Sequence, residues 1–249
     1  MPGVGGAPQA TVRIDLVRTK GVFALDGQSF DVENNIWLVG DDREVLVIDA
    51  AHDAGPIIEG IDERRVVAIV CTHGHNDHIN AALDVHGFVG RVPVCLHDDD
   101  RMLWNQVYVA RGPDMPLKDG QMFEVAGAAL RVIHTPGHSP GGVCLYLAAS
   151  PGDTPGPPAS PGDTPGPPAS PGETPGPPGP GVLFSGDTLF KGGPGATGRS
   201  FSDFPTIIDS IRTKLLTLPP ETVVHTGHGD STTIGEEAPH LDEWIARGH

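Results

Sequence analysis

Three imidazoles and a carboxylate stand within six positions of one another in this chain: His73, His75, Asp77 and His78, in the run THGHNDH. Imidazole and carboxylate together suit borderline divalent cations, so the run reads as a metal site for zinc, with Fe(II) or Mn(II) as further candidates. It directly follows VVAIVCT at 66–72, a continuous apolar run of the kind that forms a strand buried on both faces. A strand end holds the backbone in place. His73 and His75 in the loop then point one way, while Asp77 and His78 open the following helix and point another. One motif can therefore feed two adjacent cations. The plainer reading is a His-rich polar loop with Asp77 as a helix N-cap. Three imidazoles in so short a span weigh against it.

Three more residues share this placement. His138 lies in TPGHSPG, Asp187 in FSGDT and His228 in HTGHG, each just after a strand-type run. Strand ends are where α/β folds put their ligands. The full set is five histidines and two aspartates: His73, His75, Asp77, His78, His138, Asp187 and His228. Two cations need about that number if one carboxylate bridges and each cation keeps an exchangeable position.

The elements that must carry these residues alternate along the chain. TVRIDLVRT, GVFALDG, NNIWLVGDD and REVLVIDAA have β-branched, alternating patterns broken by turn residues, and read as successive hairpins. A helix is expected at 54–64 with Pro56 near its start, and another over INAALDVHG with Gly87 as its stop. RVPVCLH reads as a strand and DDRMLWNQVY as a helix, followed by strands QMFEV, AALRVIHT and GVCLYLA. Beyond residue 180 come strand GVLF, the loop KGGPGATG, helix PTIIDSIRTKLLTL, strand TVVHTG and helix APHLDEWIA. The class is α/β, in one domain spanning 1–249.

Residues 151–180 differ in kind: PGDTPGPPAS twice, then PGETPGPPGP. Nothing in this decapeptide repeat can fill a core, so polyproline-II or disorder is expected. It sits between two strand runs as an expanded hairpin loop, which the fold can carry because loop-closure cost grows only with the logarithm of length. Its P-x-x-P spacings have no flanking Arg or Lys, and no protein partner is expected for it. Without it roughly 220 residues remain, a comfortable single α/β domain.

The formal net charge is −16, from 32 acidic and 16 basic residues. Such a chain lacks the cations that phosphate contact requires, so neither nucleic acid nor an anionic membrane is an expected partner. No run approaches the ~18 apolar residues of a membrane-spanning helix. The start, MPGVGGAPQA, has no basic and apolar signal pattern. Cys71, Cys95 and Cys144 each sit in a β-type run and read as buried free thiols of a reducing compartment, which places the chain in the cytoplasm. His52, after VLVIDAA, is expected near the metal edge, and Asp49, the last residue of VLVID, is expected to support a ligand imidazole by hydrogen bonding. His134 reads as packing or as support for a ligand, and His86, His97, His225, His240 and His249 as surface or packed histidines.

Taken in order, THGHNDH, TPGHSPG, SGDTLF and TGHG resemble the metallo-β-lactamase fold superfamily. SGDTLF and GHGDSTTIG resemble its glyoxalase II-like (hydroxyacylglutathione hydrolase-like) branch, and the resemblance covers nearly all of residues 11–235. It implies an αββα sandwich with two metal ions at one edge of the paired sheets. It assigns His73, His75 and His138 to the first metal, Asp77, His78 and His228 to the second, and Asp187 as the bridge. The implied activity is metal-dependent hydrolysis of a small-molecule substrate, a hydroxyacyl thioester of a low-molecular-weight thiol. The nucleophile would be a metal-bridging hydroxide, available because coordination lowers the pKa of water from ~16 towards ~7. Asp77 would orient it, and no serine or cysteine nucleophile is needed.

The chain departs from glyoxalase II in two places. Only 21 residues follow His228, too few for the helical domain that helps those enzymes bind glutathione. The loop KGGPGATGRS lacks their basic and tyrosine contacts. The thiol carrier is therefore open, and Lys191 and Arg199 either meet an anionic carrier or are solvated. Three alternatives share some of these features: a mononuclear iron persulfide dioxygenase with the same first motif, a hydrolase of another ester or lactone, and a scaffold acting through the Pro-rich loop. The intact second ligand set, ending at His228, favours hydrolysis.

Overall fold

The structure is a computed structural model that describes residues 12–90, 92–149 and 180–248. Residues 151–179, and with them the expectation of polyproline-II or disorder there, lie outside the described residues.

Six strands form the first sheet in chain order: β1 (Arg13–Leu25), β2 (Gln28–Gly40), β3 (Glu44–Ile48), β4 (Arg65–Val70), β5 (Val94–His97) and β6 (Met115–Leu117). The first three pair antiparallel, and β3 to β6 run parallel. The remaining strands are β7 (Met122–Val125), β8 (Ala128–His134), β9 (Val143–Leu147), β10 (Val182–Gly186), β11 (Leu189–Phe190), β12 (Gly193–Pro194), β13 (Val223–Thr226) and β14 (Thr232–Thr233). Of these, β11 and β12 form a short ribbon, and the others make a second sheet in the order β14-β13-β10-β9-β8-β7. The helices are α1 (Ala54–Ile61), α2 (Asn76–Ile79), α3 (Ala82–Val89), α4 (Arg101–Val107), α5 (Phe204–Ser210), α6 (Ile234–Glu237) and α7 (Leu241–Arg247).

The period-two alternation of strands decides the layering. On β2 and β3, Trp37, Val39, Leu46 and Ile48 face inward and meet Leu130, Val132, Val143, Leu145 and Phe184 of the second sheet. Their neighbours Ile36, Leu38, Val45 and Val47 face outward and meet Ile57, Ile61, Ala82, Val85 and Trp104 of the helices. The outer face of the second sheet, with Ile133, Leu183 and Val224, is covered by Ile207, Ile211, Leu215 and Trp244. Strands apolar on both faces thus produce four layers, αββα, as expected.

Several elements differ from the sequence reading. TVRIDLVRT and GVFALDG form one continuous strand, β1, without a turn between them. Gly21 is not a turn residue: a Cβ there would overlap the His52 ring, so glycine makes room for a side chain from another element. The turn falls at the Asp26–Gly27 pair that ends GVFALDG, as its turn chemistry suggested, with both residues left-handed. Gly87 lies inside α3 and does not end it; Gly90, at φ 91°, is the stop. Helix α1 ends at Ile61, short of residue 64, where Asp62 turns left-handed. β6 is an addition, a three-residue strand too short to show alternation. The strands flanking the repeat, β9 and β10, do pair antiparallel, with Leu147 opposite Val182.

Candidate metal centre

All seven residues come to one edge of the sandwich. β4 ends at Val70, and the loop after it presents His73 and His75 before α2 begins at Asn76. Asp77 and His78 sit in the first turns of that short helix. The N-cap position of α2 is His75, and Asp77 lies inside the helix, so the plainer reading of Asp77 as an N-cap fails. His138 follows β8, Asp187 follows β10 and His228 follows β13. The close approaches need glycine: a Cβ at Gly227 would stand 2.8 Å from His78 Cε1. The loop with His228 is pinned to β2 by Asn35, whose side-chain amide donates to the carbonyls of Thr226 and Gly229 at 3.1 and 2.9 Å, and by Trp37 Nε1, which donates to Thr226 at 3.0 Å.

The ligand atoms fall into groups. His73, His75 and His138 form one, Asp77, His78 and His228 another, and His73, His78 and Asp187 a third that overlaps both. His75 Nδ1 is 3.0 Å from His138 Nε2, and His78 Nε2 is 3.2 Å from His228 Nε2. Asp187 lies between the first two groups: Oδ1 is 3.3 Å from His78 Nε2, and Oδ2 is 3.4 Å from His228 Nε2 and 3.7 Å from His138 Nε2.

For His73, His78, His138 and His228, hydrogen bonds on the far side of the ring select the tautomer that leaves a lone pair facing the centre. His78 Nδ1 donates to Asp49 Oδ2 at 2.9 Å, His138 Nδ1 to the Ala196 carbonyl at 2.8 Å and His228 Nδ1 to the Glu33 carbonyl at 2.9 Å. The Thr72 hydroxyl donates to Asp49 Oδ2 and is thereby left to accept from His73 Nδ1 at 3.2 Å. Asp49 thus stands behind the His78 imidazole, as its position at the end of VLVID led us to expect. His52 is at the edge too, one step further out. Its Nε2 lies 2.8 Å from Asn34 Oδ1, which only accepts, so His52 donates. The Asn34 amide nitrogen is then turned to the Asp77 carbonyl at 2.8 Å, with Asp77 Oδ2, His78 Nε2 and His228 Nε2 at 3.3–3.4 Å. Asn34 escaped the sequence reading; its only signal was a pair of asparagines at the entry to an apolar strand.

The electrostatics set two carboxylates among imidazoles in a buried place. Burial opposes charge on Asp187, but His78 and His228 beside it hold its carboxyl well below the usual carboxylate range. Burial likewise opposes charge on His78 and His228. The neighbouring aspartates overcome it, holding His78 well above an ordinary imidazole and His228 at about 10. His73 and His75 go the other way: burial and nearby imidazoles press His73 far down and His75 to about 3.

The donors fit a cation. Among the described residues, the buried side-chain polar atoms without a hydrogen-bond partner are His73 Nε2, His75 Nε2, Asp77 Oδ1, Asp187 Oδ1 and Thr222 Oγ1. All but the last belong to this centre, and buried polar atoms are otherwise almost always satisfied. Ligand atoms around zinc at about 2.0–2.1 Å stand roughly 3.4 Å apart in a tetrahedron, close to the nitrogen separations found here.

A cavity of about 420 Å³ opens onto the centre, lined by Phe23, Val32, Glu33 and Phe190 together with the ligands His138, Asp187 and His228. Phe23 packs edge-on against the His75 ring. Arg199 sits over the Phe30 ring at 4.8 Å and donates to Gln28 Oε1 at 2.9 Å, and Lys191 pairs with Asp230 at 3.8 Å. Cys71 is fully buried and its thiol is pushed well up by burial, so it stays out of the chemistry. Away from the centre, His134 stacks on His97 at 4.1 Å, and with Asp99 they form a further cluster of possible ligands. Their rings lie 8° from parallel, so their in-plane lone pairs do not converge on a shared cation.

Comparison with known proteins agrees with this geometry. The family model for the Metallo-beta-lactamase superfamily matches residues 30–151. The chain is 30% identical over 217 residues to the "probable metallo-hydrolase YqgX" of Bacillus subtilis, covering 82% of this chain and 88% of that relative. It is 28% identical over 220 residues to the hydroxyacylglutathione hydrolase GloC of Haemophilus influenzae, covering 82% and 90%. A shorter match, 77% over 56 residues, covers 53% of an uncharacterised 11.5 kDa protein of Rhodococcus erythropolis. Among solved structures, TTHA1623 in a di-iron-bound form superposes with a TM-score of 0.61 at 28% identity, over 83% of this chain and 93% of that one. The fold, the clustered ligands and these relatives lead to one assignment: the chain belongs to the metallo-beta-lactamase superfamily of metallo-hydrolases, in its glyoxalase II-like branch.

Proposed function

We propose that this chain is a dinuclear metal-dependent hydrolase that cleaves a hydroxyacyl thioester of a low-molecular-weight thiol. One observation carries the reading: the Asp187 carboxylate reaches His138 of one ligand group and His78 and His228 of the other. A carboxylate so placed is suited to being shared by two cations. His73, His75 and His138 would hold the first, and Asp77, His78 and His228 the second. A complete second group counts against the mononuclear dioxygenase reading, which needs only a subset of these ligands.

Bound cations would supply a nucleophile at neutral pH by acidifying water, and would polarise the substrate carbonyl. The chain's own residues do the rest. Phe23, Val32, Phe190 and Ala196 give the open cavity apolar walls that suit an acyl chain. Asp77 Oδ2 faces Asn34 and His228, while Oδ1 has no partner and is placed to hold a proton of the attacking water. Attack on the carbonyl carbon breaks the C–S bond. The sulfur leaves as thiolate, whose ordinary pKa of about 8.5 demands little protonation. The hydroxyacylglutathione hydrolase named among the relatives supports a thioester substrate. The carrier need not be glutathione, since Lys191 and Arg199 are engaged with Asp230 and with Phe30 and Gln28.

The test is a panel of hydroxyacyl thioesters of different thiols, offered to metal-stripped protein reloaded with zinc, manganese or iron. Thiol release that depends on added cation is the expected result. Cleavage of esters or lactones with no thioester turned over would move the assignment to the alternative hydrolase class. Oxygen uptake with one iron per chain would move it to persulfide oxidation.

A further inference from the structure

Asp100 ends the short turn Asp98–Asp100 just before α4 and has no solvent exposure. A buried carboxylate is costly unless donors replace its lost water. Three do so here. The Gly74 N–H donates to Oδ2 at 2.8 Å, the Ser139 hydroxyl donates to the same oxygen at 2.7 Å, and the Gly141 N–H donates to Oδ1 at 2.6 Å. Gly74 separates His73 from His75, and Ser139 follows His138 directly. One carboxylate therefore joins the two loops that carry the first ligand group, although His75 and His138 are 63 positions apart in the chain.

The glycines of both motifs fit this role. A Cβ on Gly74 would come 2.8 Å from the Asp100 carbonyl oxygen, and one on Gly141 would come 2.8 Å from Asp100 Cγ. The glycine of His-Gly-His and the first of the pair after Pro140 are the places where backbone closes onto this side chain. The second ligand group rests on other residues: Glu33 behind His228 and Asn34 on Asp77, with Asp49 behind His78 and, through Thr72, behind His73 as well.

We infer that Asp100 is a positioning residue for the first group: it touches no ligand ring, but sets how far His138 stands from His73 and His75 by bonding the backbone between and beside them. This rests on the reading that these three histidines hold a cation. An outer hydrogen-bonding partner of a metal site typically contributes 10–100-fold in affinity, and the loss here falls on one group only. A residue that merely stabilised the fold would weaken both groups together or neither.

The experiment is calorimetric titration of the metal-stripped full chain with zinc, paired with the absorption spectrum of the cobalt(II)-loaded protein. Wild type is compared with Asp100→Asn and with the milder Ser139→Ala, and circular dichroism checks the fold of each. A His228→Ala background identifies the binding step that belongs to the first group. We expect two equivalents in wild type. In Asp100→Asn the first-group step weakens 10–100-fold with an altered cobalt spectrum, while the other step is unchanged; Ser139→Ala weakens the same step by less. Folded variants that keep both affinities, or lose both equally, overturn the inference. If Asp100→Asn does not fold, Ser139→Ala decides by the same criterion. Wild type that takes up no cation overturns the metal reading itself, and this inference with it; two equivalents in wild type with unchanged variants overturn this inference alone.

Discussion

Asp187 is the single residue whose loss should do most damage, because its carboxylate lies between the two groups, close to His138 of one and to His78 and His228 of the other. Asp187→Ala is expected to reduce bound metal and to lower thioester turnover by at least 10²-fold; atomic absorption and thiol release on the same sample check it. His225 makes a different prediction, about pH. Its ring stacks on Trp37 at 4.1 Å, and burial lowers its pKa from 6.5 to about 4. As pH falls below 6.5 the unfolded chain takes up this proton first, so stability is lost between pH 6.5 and about 4, in all by about 3 kcal/mol. The difference in unfolding free energy between wild type and His225→Gln, both metal-free, should shift by that amount from pH 7 to pH 4; a flat difference would contradict it. At this scale the seven candidate residues were legible in the sequence and the fold does bring them together, because imidazoles clustered after strand runs have few other uses. Asp49 was legible from its position after a buried strand. Asn34 and Asp100 were not. A lone amide and a carboxylate in an acidic run carry no spacing signal, and their roles arise only from contacts across the fold.

At the level of elements, the long β1–β2 hairpin is held over the centre by a fit that only glycine allows. Gly21 lies against the His52 ring, His52 donates to Asn34, and Asn34 donates to Asp77. Gly21→Ala should destabilise the chain by roughly 1–3 kcal/mol through overpacking, and it should weaken metal binding in the second group more than in the first. Equal binding in both would separate His52 from the site. Which runs form strands and how they are buried was largely readable, because β2 to β4 are apolar on both faces and such strands belong between two covering layers. Two of the missed features share one cause. A glycine that accommodates a distant side chain, as at Gly21, looks in sequence like a glycine that turns the chain, and a helical glycine such as Gly87 looks like a stop.

For the whole molecule, the two sheets meet along a dry inner layer and the ligands gather where that layer ends. Leu46 is fully buried in it, and Leu46→Ala should cost about 2–5 kcal/mol in urea unfolding. The decapeptide repeat joins strands that already pair, with Leu147 opposite Val182. Replacing residues 151–179 with a short turn is therefore expected to leave melting temperature and turnover unchanged, since loop closure depends only weakly on length; lost turnover would give the repeat a role. No helix among the described residues is long and apolar enough to cross a membrane. The central claim is that seven side chains from four separate segments of the chain hold two cations that perform hydrolysis. It is tested most directly by adding zinc stepwise to stripped protein while following both bound metal and thioester cleavage. The account predicts uptake of two ions per chain, with cleavage absent before loading and maximal once both are bound. Full cleavage by the metal-free chain, or saturation without any bound ion, would contradict it.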